Sequence, residues 1–349
     1  MHCGEPSPDR SNTWREIPGD RCPTACARDR IQACRDFPPP LQNDRSMPSP
    51  RVTGLIAATF TPFGDDGSLN LQAVPTIVEH LIADGVGGLY VCGSTGEGPS
   101  LAVSERKATL EAYLSAVHGR IPVVAQVGHD SLAEARDLAR HAAAAGVTAI
   151  SAVSPHYFKP NQTRVVAECI AEIASAAPET PFYYYHIPRL TGVSVDIVEL
   201  AERALECAPT FTGIKYSSMA LDSLQTLSTL ASGRLNLLFG CDECLLSGIL
   251  FGAQGAVGST YNFAAPVYRE LLDALARGDL ETARARQADA VRLVRTILKY
   301  GDIPGLKATM AAIGVPCGPC RLPLRTLSRE QQQSLRDDIR GLGLLAKAS

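Results

Sequence analysis

The chain has 349 residues, of which 45% are hydrophobic and 20% charged, and carries a formal net charge of −3. This length can bury a sizeable core, in one large α/β domain or two smaller ones. Slight acidity without a basic cluster argues against a nucleic-acid partner, and no apolar run reaches the ~18–20 residues that cross a bilayer.

Residues 1–50 stand apart, with nine prolines, seven basic and seven acidic residues and no apolar period. Such a segment cannot bury enough surface to offset its ordering entropy, and is expected to be disordered. It is too acidic for a mitochondrial presequence, and Met47, just before the patterned region, marks an expected alternative start. Four of the eleven cysteines (Cys3, Cys22, Cys26 and Cys34) fall here; the other seven are scattered, without the spacing of a disulfide framework. With no signal peptide legible, the reducing cytoplasm is the expected compartment.

From about residue 52, short apolar runs alternate with amphipathic segments. The runs are Leu55–Phe60, Gly87–Val91, Ile121–Gln126, Ala149–Val153, Pro181–Tyr185, Phe211–Ile214, Leu235–Phe239 and Gly255–Val257. Helices are expected over Leu71–Ala83, Ser104–Val117, Thr163–Ala176, Ser194–Leu205, Leu221–Leu230, Asp242–Phe251 and Ala264–Ala276. One more opens at a capping box, Ser131-Leu-Ala-Glu134, and stops at Gly146. Eight strand-then-helix units predict an α/β fold, a (β/α)8 TIM barrel over residues 51–278. Asp279–Lys299, Pro304–Ile313 and a helix opened by the box Ser328-Arg-Glu-Gln331 predict a C-terminal helical appendix, residues 279–349, packed on the barrel.

In such a barrel, function belongs to the loops after the carboxyl ends of the strands. After the second run, Gly93-Ser94-Thr95-Gly96-Glu97-Gly98 lets backbone amides and two hydroxyls converge on an anion, with a carboxylate the best fit. The fifth ends in Tyr183-Tyr184-Tyr185-His186. Alternation puts Tyr183 and Tyr185 on one face, and Tyr184 with a structural His186 on the other. A strand-end tyrosine facing the barrel mouth can pass protons beside a lysine. Lys215, at the end of Phe211–Ile214, is the candidate: burial lowers an amine's pKa and makes it a nucleophile toward a ketone. Taken alone, it reads better as a surface lysine snorkelling from a strand end, and the other strand-end motifs reverse that. Small hydroxyl residues, Ser217 and Ser218, follow it. After the seventh run, Gly240-Cys241-Asp242-Glu243 offers acceptors for sugar hydroxyls, or an N-cap acid. Gly258-Ser259-Thr260-Tyr261-Asn262 follows the eighth. Together these suit imine chemistry on a 2-oxo acid with a polyhydroxyl tail.

The same stretches resemble the N-acetylneuraminate lyase family, the animal type more than the bacterial, from about Leu55 to about Arg329. The resemblance rests on Phe182-Tyr-Tyr-Tyr-His-Ile-Pro188 with Thr191-Gly-Val193, Gly240-Cys-Asp-Glu243, Gly255-Ala-Val-Gly-Ser-Thr-Tyr-Asn262 and Arg321-Leu-Pro-Leu324. The Gly-Ser-Thr-Gly-Glu motif is shared across the dihydrodipicolinate synthase superfamily. The resemblance implies a Schiff-base (class I) aldolase that cleaves the sialic acid N-acetylneuraminate reversibly to pyruvate and N-acetylmannosamine. Lys215 would form the Schiff base and Tyr185 would donate and accept the proton. Ser94 and Thr95 would hold the pyruvate-end carboxylate, while Ser217, Gly240, Asp242, Glu243 and Ser259 would contact the hydroxylated tail. The protonated imine is the electron sink, so no metal or cofactor is implied. A homotetramer is implied, without nucleic-acid or membrane partners. Two features depart from the family: the loop Pro155-His156-Tyr157-Phe158, where an aromatic pair is common and the role of Tyr157 stays open, and the N-terminal extension.

Two rival readings share the barrel. A dihydrodipicolinate synthase-like aldolase would carry an arginine just before the Thr-Gly after the tyrosine; here that place is Leu190, and Arg189, one residue early, is aimed elsewhere by alternation. A non-catalytic sugar-acid sensor would not need a buried amine. Cys317-Gly-Pro-Cys320 spells a thioredoxin-like motif but follows a helix instead of opening one, and Cys241-Asp-Glu-Cys244 lacks a second ligand pair at zinc spacing.

Overall fold

The computed structural model describes residues 51–345; the proline-rich stretch 1–50, expected to be disordered, and residues 346–349 lie outside the described residues. Eight parallel strands close into one barrel: β1 Gly54–Ala58, β2 Gly88–Val91, β3 Val123–Gln126, β4 Ala149–Ala152, β5 Phe182–His186, β6 Phe211–Tyr216, β7 Asn236–Phe239 and β8 Gly255–Gly258. Strand β1 pairs with both β2 and β8, which leaves no open edge. Between and after the strands run α1 Val74–Ala83, α2 Val103–Val117, α3 Leu132–Ala144, α4 Thr163–Ala174, α5 Ile197–Cys207, α6 Leu221–Thr229, α7 Leu245–Leu250 and α8 Tyr261–Ala276. Three more helices follow, α9 Leu280–Leu298, α10 Ile303–Ala312 and α11 Arg329–Leu342. The alternation read from the sequence therefore gives the right architecture, a (β/α)8 barrel with C-terminal helices.

Strand alternation splits the apolar residues into two cores. Ile56, Ala58, Tyr90, Val124, Tyr183, Tyr185, Leu238 and Val257 fill the barrel, whereas Leu55, Ala57, Leu89, Val91, Tyr184, Ile214 and Tyr216 meet the helices outside. The interior admits large rings because glycine stands beside them. A Cβ on Gly213 would lie 2.8 Å from the Tyr183 ring and 2.0 Å from the Asn236 carbonyl oxygen. The Tyr183 hydroxyl donates to Asn236 Oδ1 at 2.7 Å, and the Val52 amide donates to the same oxygen at 3.1 Å. A buried phenol and amide are thereby satisfied deep in the barrel.

Side-chain caps form where the sequence spells them, at Ser131 and Ser328. At Ser328 both halves of the capping box form, with bonds of 2.9 and 3.2 Å to Gln331. At Ser131 the hydroxyl accepts from the Glu134 amide at 3.4 Å. Asp196 opens α5 by accepting from Val198 and Glu199, which moves the start past the expected Ser194. The expected helix Asp242–Phe251 is broken: a short turn, Asp242–Cys244, precedes α7. Strand β6 runs to Tyr216, beyond the expected end at Ile214, because Lys215 pairs with Tyr185 of β5 and Leu238 of β7. Among the described residues no helix is long and apolar enough to cross a membrane.

Candidate active site

A cavity of about 500 Å³ opens at the carboxyl end of the strands, and every residue the sequence reading placed at the site lines it: Ser94, Thr95, Tyr185, Lys215, Ser217, Gly240, Asp242, Glu243 and Ser259. Lys215 is only 4% exposed. Its Nζ lies 3.8 Å from the centre of the Tyr90 ring and 4.0 Å from that of Tyr185. Ring faces stabilise an ammonium, and the nearby Asp242 carboxylate favours it too, but burial outweighs both and lowers the amine to about 7. Near neutral pH about half of it is the free nucleophile.

Tyr185 sits opposite Lys215 in the ladder. Burial pushes its phenol up to about 12, against the Ser94 and Ser217 hydroxyls that face it and favour the phenolate. The Tyr90 ring meets the Tyr185 ring edge-on at 5.7 Å, and its hydroxyl donates to Ser151 at 3.0 Å. Sequence reasoning missed Tyr90. After the second run it looked only at the turn from Gly93 on, whereas Tyr90 is the penultimate residue of β2, the place Tyr185 holds in β5 and Lys215 in β6; a large aromatic at an inward position was the available signal.

Ser94 and Thr95 stand in the turn after β2. The Glu97 amide donates to Ser94 O at 3.0 Å, and Thr95 Oγ1 lies 2.6 Å from Ser259 Oγ, joining the β2 and β8 loops. Gly98 is required, since a Cβ there would fall 2.0 Å from the Cys92 carbonyl oxygen. The turn is further held by Thr61, whose hydroxyl donates to Gly96 O at 2.7 Å.

On the opposite wall Asp242 is buried, and its Oδ2 accepts from the Thr260 amide at 2.9 Å and hydroxyl at 2.6 Å. The Tyr268 hydroxyl is 2.7 Å from that same Thr260 oxygen. Burial raises the Asp242 pKa, opposed by the two bonds from Thr260. Gly240 and Gly258 leave room for this wall: a Cβ would fall 2.0 Å from Ser217 Oγ in the first case and 2.0 Å from Asp242 Oδ1 in the second. Glu243 is exposed at the mouth.

Arg189 and Leu190 both line the mouth, Arg189 with its guanidinium 3.9 Å from Asp302. The alternation that aimed Arg189 away does not reach it, because Pro188–Thr191 is a helical turn and not a continued strand. The outer wall is apolar and comes from the C-terminal helices, through Val294, Ile297, Ile303 and Leu306. No residue-level signal assigned those positions to the site.

Other singled-out residues lie elsewhere. His186 points out of the barrel, its ring 5.2 Å from that of Tyr216, and burial lowers it to about 4. Tyr157 is exposed, edge-on to Phe158 at 5.0 Å, with its amide donating to Asp130. Burial raises the Cys317 and Cys320 thiols to about 12 and about 11, the reverse of what a reactive dithiol requires.

A buried amine of lowered pKa between two phenol rings, facing a hydroxyl-rich turn at the mouth of a (β/α)8 barrel, has the parts that imine chemistry on a keto acid needs. Residues 51–342 match the dihydrodipicolinate synthetase family, and the chain belongs to it. Within that family it is similar to N-acetylneuraminate lyases. It is 38% identical to that of Homo sapiens over 306 residues, spanning 86% of this chain and 96% of the relative. Identity to that of Gallus gallus is 40% over 288 residues, 81% of this chain and 94% of the relative. The solved N-acetylneuraminate lyase of Proteus mirabilis superposes with a TM-score of 0.83 at 35% identity, covering 85% of this chain and 100% of that one.

Proposed function

We propose that this protein is a class I aldolase that cleaves N-acetylneuraminate reversibly to pyruvate and N-acetylmannosamine. The observation that carries the reading is Lys215, buried at the cavity and lowered to about 7, with Tyr185 beside it. Similarity to N-acetylneuraminate lyases over most of the chain supports it.

The open-chain sugar acid sets its carboxylate against Ser94 and Thr95. The neutral Lys215 amine adds to the C2 ketone, the Tyr185 phenol gives its proton to the departing C2 hydroxyl, and loss of water leaves a protonated imine beside the phenolate. Burial keeps the Tyr185 phenol protonated in the free site. The iminium cation formed alongside favours the phenolate, which can then take the proton from the C4 hydroxyl. As that proton leaves, the C4 oxygen becomes the aldehyde of N-acetylmannosamine, the C3–C4 bond breaks, and its electron pair moves into the imine to give an enamine. The phenol returns the proton to C3, and water hydrolyses the protonated imine to release pyruvate and the neutral amine, the proton freed in that step restoring the phenol. Ser217, Gly240, Asp242, Glu243 and Ser259 meet the hydroxylated tail, Asp242 being held for this by Thr260. The same reading takes residues 51–278 as the catalytic barrel, the helices from 279 on as its appendix, and the assembly as a cytoplasmic homotetramer.

The dihydrodipicolinate synthase-like alternative needs a cation for a second carboxylate. Arg189 is at the mouth but is paired with Asp302, and Asp242 with Glu243 suits hydroxyls better. The deciding experiment is pyruvate release from N-acetylneuraminate by wild type and Lys215→Ala, with borohydride trapping of pyruvate. Activity and a trapped adduct are expected only with Lys215 present. Equal release by both proteins ends the imine mechanism; substrate binding with no adduct points to the sensor.

A further inference from the structure

The hydroxyl-rich turn after β2 is braced from outside the barrel by groups that take no part in the chemistry above. Glu97, two residues past Thr95, has a left-handed backbone (φ +55°), which costs a residue with a Cβ. Its side chain is fully buried, 0% exposed, and its carboxylate pairs at 2.7 Å with Lys307 Nζ of α10, itself 3% exposed. The other carboxylate oxygen accepts from the Arg321 amide at 2.8 Å. Lys307 also donates to Pro319 O at 2.7 Å and lies 4.2 Å from the Phe63 ring. The segment that follows α10 is stitched to the first loops of the barrel. Cys317 O accepts from the Phe63 amide at 3.2 Å, and the Arg321 guanidinium takes both oxygens of Glu105 at 2.6 and 2.7 Å.

Neither Glu97 nor Lys307 lines the cavity. A buried ion pair adds little net stability over a well-packed apolar pair, and its best-attested use is to fix register. Glu97 is placed for that. Its amide closes the turn on Ser94 O, and the turn's Thr95 hydroxyl bonds Ser259 of the β8 loop. We propose that Glu97 and Lys307 are positioning residues for binding the keto acid's carboxylate: through them the C-terminal segment holds the Ser94–Thr95 turn in register with Lys215. This rests on the reading of Ser94 and Thr95 as the carboxylate cradle.

The test uses Lys307→Met and the conservative Lys307→Arg in the full chain, assayed in the condensation direction. Lys307→Met should raise KM for pyruvate about tenfold or more, leaving kcat and KM for N-acetylmannosamine within about threefold, and Lys307→Arg should recover most of the loss. Amide hydrogen exchange over residues 93–98 should quicken at least about tenfold in Lys307→Met, with the strands unchanged. A pyruvate KM and exchange rate left at wild-type values would overturn the proposal. So would a fall in activity that only tracks the folded fraction. If Lys307→Met does not fold, Glu97→Gln, which still accepts from the Arg321 amide, carries the same readouts. A wild type that traps no pyruvate would sink the aldolase reading instead, and exchange in the turn would still decide the brace.

Discussion

Burying Lys215 deprives an ammonium of water, and the cost of that can be measured by removing the charge. The amine ionises at about 7 in the fold, against 10.5 for an ordinary lysine. Between those values the unfolded chain binds the extra proton, so stability rises with pH across the window. The penalty is full below about pH 7 and gone above about pH 10.5. At ~1.36 kcal/mol per pH unit it amounts to at most about 5 kcal/mol. Lys215→Met keeps an unbranched stem of similar volume and drops the charge. In urea unfolding the variant should exceed wild type by up to about 5 kcal/mol at pH 6, shrinking to about 1 kcal/mol at pH 9.5. Asp242 reduces the gain, because the variant leaves its carboxylate without the nearby amine. The activity of wild type should follow the same ionisation, kcat/KM falling about tenfold per unit below pH 7 and level above it. A stability gap independent of pH, or a rate still climbing at pH 9, would refute the argument that burial sets this amine's reactivity.

Tyr185→Phe should lower kcat by ~10²–10⁴-fold while borohydride still traps pyruvate on Lys215; loss of trapping as well would move the phenol's role to imine formation. Gly240→Ala places a Cβ 2.0 Å from Ser217 Oγ, so KM for the sugar should rise, with a stability loss of ~1–3 kcal/mol in thermal unfolding; an unchanged KM would remove Ser217 from the tail subsite. Tyr90→Phe loses the bond to Ser151 but keeps the ring over Lys215, costing ~1 kcal/mol with the acid limb of the pH profile in place. Tyr90→Leu removes a face that favours the ammonium, so the limb should move to lower pH; a limb that stays put would show that the ring does not touch the amine's ionisation.

Much of this molecule was legible because the signals involved are local. Period-two alternation sorts Tyr183 and Tyr185 from Tyr184 whatever surrounds them, and the Ser328 box closes within one turn of its own helix. The strand-end rule then gathers Ser94, Thr95, Lys215, Asp242 and Ser259 from motifs far apart in the chain. After the second run the rule was applied only from Gly93 on, which is how Tyr90, the penultimate residue of β2, escaped. Alternation also stops being valid where a strand turns into a helix, which is how Arg189 was aimed wrongly.

Eight strand-then-helix units, the face of each strand residue and the identity of the loops at the mouth follow from the order of residues alone, since each depends on neighbours within a turn or a pleat. The lowered pKa of Lys215, the anchoring of Asp242 by Thr260 and the Glu97–Lys307 pair were decided only when the barrel closed and α10 packed beside it. Desolvation and ion pairing depend on what stands within a few ångströms in space, and no periodicity along the chain records that.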